Sequence, residues 1–108
     1  MSEQQTTPVA EDHFEVKGKR YDFAYPSFSL IREVAKTKVE EQVEADDFTE
    51  ILTDDVRFQS FAEVWDKYIN LIVKEPDNEL KLGTLRFQDV LKVVKGFFFY
   101  AVATLEGQ

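Results

Sequence analysis

The residues that could carry chemistry are few, and their spacing does not favour it. His13 is the only histidine. A general base needs a fixed place and an orienting partner, and the polar stretch 1–12 beside it promises neither. No cysteine is present, which removes thiolate nucleophiles, thiolate metal sites and disulfides together. The acidic pairs Asp46-Asp47 and Asp54-Asp55 could in principle serve acid–base chemistry, but that requires surroundings that push two pKa values apart. Neither pair sits in a recognisable apolar pocket, so both read as helix caps and solvated charge. The four glycines are far apart, leaving no Walker loop, dinucleotide fingerprint or G-x-S-x-G elbow. Calcium would need alternating acidic ligands around a mid-loop glycine, and no glycine lies between Gly18 and Gly83. The expectation is a protein without catalytic residues, cofactor or metal.

The carboxylates are concentrated all the same. Between Glu40 and Asp55 there are eight acids and no base, within a chain of net charge −8. Such a field repels phosphate backbones and argues against nucleic-acid binding. It serves solubility, docks a basic partner, or mimics the charge of DNA.

The elements that must position these residues follow from periodicity. At 108 residues with 44% hydrophobic content, the chain is one domain, expected to comprise a flexible acidic arm, 1–12, and a globular part, 13–108. In 13–25, Phe14 and Val16, then Tyr21 and Phe23, alternate with polar or small residues around Gly18, which predicts a β-hairpin. Pro26 and Ser27 end it and start a helix over about 28–45, whose apolar positions Ile31, Val34 and Ala35 fit one face while Val39 and Val43 drift. Phe48, Ile51 and Leu52 anchor a short helix at 47–53. Asp54 or Asp55 caps a helix at 55–74, where Phe58, Phe61, Ala62, Trp65, Tyr68, Ile69 and Ile72 share one side. After a turn at 75–79, Thr84 is a candidate cap for a last helix, 85–105, roughly 30 Å long at 1.5 Å per residue. The fold class is therefore α+β, mostly α: an N-terminal hairpin and three to four helices in a small bundle.

The last segment has more apolar surface than one core stripe uses. Thirteen of the nineteen residues from Phe87 to Leu105 are apolar. Phe87, Leu91, Val94, Phe98, Ala101 and Leu105 form one stripe, and Val90, Val93, Phe97 and Tyr100 widen it to an arc of roughly 200°. On this wheel Phe98 faces the core and Phe99 falls on the opposite side, between Lys92 and Lys95. Either the segment is the central helix, covered on most sides, or part of it is a surface for a partner helix or a second copy. Val93, Phe97, Phe99 and Tyr100 are the candidate partner-binding residues. The apolar run is too short for the ~20 residues of a membrane span, so a soluble, cytoplasmic protein is expected.

With its opening Val16-Lys17-Gly18-Lys19-Arg20-Tyr21-Asp22-Phe23, its Pro-Ser helix start and its ending Leu91-Lys92-Val93-Val94-Lys95-Gly96-Phe97-Phe98, the chain resembles tail assembly chaperones of long-tailed bacteriophages. The resemblance spans about residues 14–105 and rests on layout. It implies a small acidic helical protein of the host cytoplasm that coats the hydrophobic helices of the tape measure protein, or another tail protein, before the tail tube polymerises. It also implies a longer frameshifted form in many members. An acidic regulatory or inhibitory binding module is the alternative.

Overall fold

The computed structural model describes residues 11–75 and 78–106. Two antiparallel strands, β1 (His13–Val16) and β2 (Lys19–Asp22), are followed by five helices: α1 (Phe28–Thr37), α2 (Val39–Glu44), α3 (Phe48–Thr53), α4 (Asp55–Ile72) and α5 (Phe87–Glu106). Short 3-10 turns at Asn78–Leu80 and Leu82–Thr84 join the last two. The class is the expected one, mostly helical with an N-terminal hairpin. The polar arm expected at 1–12 lies, up to Ala10, outside the described residues.

The hairpin pairs Phe14 with Tyr21 and Val16 with Lys19. Its two-residue turn, Lys17-Gly18, has positive φ at both positions, 55° and 77°, the mirror-image turn whose twist matches that of paired strands. Phe14, Val16, Tyr21 and Phe23 are buried and Glu15 and Asp22 are exposed, so the period-two pattern has its physical cause in a one-sided sheet. A lone hairpin is marginal in water; here its second strand is held on both sides. The Phe23 N–H donates to the Asp12 carbonyl, while Ala24 donates to Ile72 and Lys74 to Asp22 across an isolated bridge between Phe23 and Val73. The inner face then rests on α5, where Lys92 Nζ also donates to the Glu15 carbonyl at 3.2 Å.

The single helix expected over 28–45 is divided. Lys38 takes the left-handed conformation, φ 56° and ψ 26°, ending α1 and starting α2. Thr37 braces the break, its hydroxyl donating to the Val34 carbonyl at 2.6 Å and accepting from the Val39 N–H at 3.3 Å. This redirection reverses the expected packing: Val39 and Val43, which drift off the face of a continuous helix, are buried, whereas α1 has no fully buried residue. Ser27 caps α1 through Leu30 N, and Asp54 caps α4 through Arg57 N at 2.9 Å.

In α4, Phe61, Trp65, Tyr68, Ile69 and Ile72 are buried, as the 3.6-residue spacing requires. The Trp65 indole donates to the Leu80 carbonyl at 2.8 Å, fixing the connection to α5. Thr84 does not cap that helix; its hydroxyl donates back to the Lys81 and Glu79 carbonyls. Asp89 takes over the α5 start, its carboxylate accepting from the Arg86 backbone N–H at 3.4 Å and from the Arg86 guanidinium at 3.2 Å. That is the reach-back half of a capping box. Gly96 lies under the Phe23 ring, where an added Cβ would meet Phe23 Cζ at 3.4 Å. A methyl there would be in ordinary contact with the ring, so a bulkier side chain, not alanine, is what the seating of the hairpin excludes.

Candidate functional site

The apolar excess of α5 is oriented differently from the wheel's expectation. Val90, Val93, Val94, Phe97 and Ala101 form the buried stripe, so the core is centred on the flank of the expected stripe. Phe97, not Phe98, enters the core, because the hairpin approaches α5 from that side: Phe23 meets Phe97 edge-on at 5.5 Å and stacks on Tyr100 at 5.5 Å. Of the four candidate partner-binding residues, Val93 is 0% exposed. Tyr100 is half-buried against Phe23. Phe99 is 59% exposed and in edge contact with Phe98. Phe97 borders a concave surface, described next.

That surface is a cleft of about 270 Å³ between α1 and α5. Ile31, Val34 and Ala35 form one wall, Val94, Phe97, Phe98 and Ala101 the other, and Val39 and Tyr68 also line it. The α1 wall is held against α4 and has no fully buried residue of its own. Lys38, Glu40 and Glu41 supply charge to the lining. Phe98, 48% exposed, is the aromatic residue that the wheel misassigned to the core.

Two polar groups in this cleft are electrostatically unusual. Tyr68 is 2% exposed and touches Trp65 through its ring. Among the described residues nothing hydrogen-bonds its hydroxyl. Burial, with a further contribution from the Glu40 charge, pushes the phenol above its ordinary range. The Glu40 carboxyl is also raised, by partial desolvation first and then by the like charges of Glu44 and Glu41.

A second cleft, about 430 Å³, lies on the other side of α2. Ala45, Ile51, Phe61 and Val64 give it apolar walls, and Arg57 within it pairs with Asp47 at 3.0 Å and reaches Glu50 at 4.0 Å. The acidic run is thus partly neutralised from within. Phe48 and Ile51 anchor α3 as expected, whereas Leu52 is exposed.

His13 sits in β1, and its Nδ1 is 3.1 Å from Asp12 Oδ1. The orienting partner that sequence did not promise is therefore its own neighbour. Among the described residues no group of three His, Asp and Glu side chains is gathered as a metal cage, and no helix is long and apolar enough to cross a membrane. Compared with protein-family models, curated proteins and solved structures, the chain matches none.

Proposed function

We propose that the protein is a noncatalytic assembly chaperone that receives an apolar partner helix in the cleft between α1 and α5. One observation carries the reading: the cleft has two helical walls of aliphatic and aromatic side chains, and one of them, Phe98, stands half out of the protein. Helix-in-groove recognition uses such a surface, with the partner's anchors at helical spacing. Acidic residues at the cleft and along 40–55 favour a partner whose apolar face is flanked by bases, and they keep the complex dissolved.

The resemblance in sequence layout to phage tail chaperones supports the tape measure protein as the partner and the host cytoplasm as the place of action. Co-expression with a tape measure fragment tests this. The fragment should become soluble and elute with the chaperone in one complex; a fragment that stays insoluble with no complex formed counts against the reading. A regulatory module acting through the acidic run is the second reading, favoured by the cleft beside α3. Its binding would collapse with added salt, whereas binding in the groove would weaken only in its charged flanks and keep the part carried by apolar contact. The pairing of Arg57 with Asp47 and Glu50 makes it the weaker of the two.

A further inference from the structure

The groove contains a feature that an apolar helix alone does not explain. Buried tyrosine hydroxyls ordinarily find a hydrogen-bond partner, and a buried polar group without one is destabilising. Tyr68 is buried, lines the groove and has no such partner among the described residues. Glu40 lines the same groove and its charge acts on the Tyr68 phenol.

A group that satisfies both must donate to a carboxylate and also bond a phenol oxygen. An ammonium does this with one head group, and its methylene stem can follow aliphatic walls to reach it. The surrounding charge selects the sign. Glu41 and Glu44 reinforce Glu40, no base occurs from 40 to 55, and Lys38 is the one cation in the lining.

We propose that Tyr68 and Glu40 form a polar notch that takes a lysine side chain projecting from the otherwise apolar face of the partner helix. The notch sets register and specificity in the groove and rests on the reading of that groove as a helix site. A helix with a lysine at the matching turn seats in one position; a wholly apolar helix can slide.

Two fluorescein-labelled amphipathic peptides test it. Both carry a leucine-rich face with basic flanks, and one has lysine at the centre of that face where the other has methionine. Anisotropy titrations are made with the wild type, Tyr68→Phe and Glu40→Gln. The lysine peptide should bind the wild type more tightly than the methionine peptide, and each substitution should weaken the lysine peptide about tenfold while leaving the methionine peptide unchanged. Equal effects on both peptides overturn the notch and leave the groove standing. Failure of both peptides to bind the wild type overturns the groove reading and the notch with it. Because no described residue bonds the hydroxyl, Tyr68→Phe should melt at or above the wild-type temperature; a clear fall would show an internal hydrogen bond and overturn the premise.

Discussion

At the scale of single residues, the four aromatics from Phe97 to Tyr100 separate into distinct roles. Truncating Phe97 removes a ring packed on Phe23, and Phe97→Ala should cost about 3–5 kcal/mol in denaturant unfolding. Phe98→Ser should change stability by no more than roughly 1 kcal/mol, since the ring is half-exposed, yet weaken binding in the groove. The wheel could not separate these neighbours, because it records angles around one helix and not the direction from which other elements arrive. Two carboxylates give opposite pH signatures. Asp89 is held below its usual range, by the Arg86 hydrogen bond first, so its contribution is present above the ordinary carboxylate pKa and disappears as pH falls through the lowered one. Asp89→Asn should therefore be less stable than wild type at pH 7, by on the order of 1 kcal/mol for a lost cap, with the gap closing toward pH 2. Glu40 is raised, so its charged form is a cost at neutral pH that protonation relieves. Glu40→Gln should gain stability at pH 7 and little near pH 3, read from thermal melts across pH.

The elements differ in how far their sequence determines them. The hairpin and α4 are legible because each repeats one period against a single buried face, Phe14 and Val16 at two, Phe61, Trp65, Tyr68 and Ile72 near 3.6. The break at Lys38 is not, since lysine has no preference for the left-handed region and the hydroxyl that braces it, on Thr37, is common inside helices. The groove was half legible: the surplus of apolar surface on the last helix announced it, but its other wall, Ile31 and Val34, looked like ordinary core. In the hairpin turn, Lys17→Asn should raise stability by a few tenths of a kcal/mol, because asparagine tolerates the positive φ better. In α5, Gly96→Ala should be neutral or stabilising by up to about 1 kcal/mol, since its methyl would meet Phe23 at ordinary contact distance. Gly96→Val, with two further carbons at the same place, should unseat the ring and lower the melting temperature.

At the scale of the whole molecule, the charge of −8 and the aromatic core act against each other. Self-repulsion among the acids of 40–55 opposes the compact state and weakens once the screening length falls to about 8 Å at physiological salt. The melting temperature should accordingly rise between low and moderate sodium chloride, and a fall would show that ion pairs such as Arg57 with Asp47 dominate instead. The seating of the hairpin also constrains the order of events during synthesis. Its strands leave the ribosome before the residues they pack on: the edge that closes them belongs to Ile72–Lys74, and the floor under Phe23 belongs to Gly96 and Phe97. A growing chain must carry Phe14, Tyr21 and Phe23 without their final contacts until Phe97 has been made, so the hairpin is translated well before it is locked.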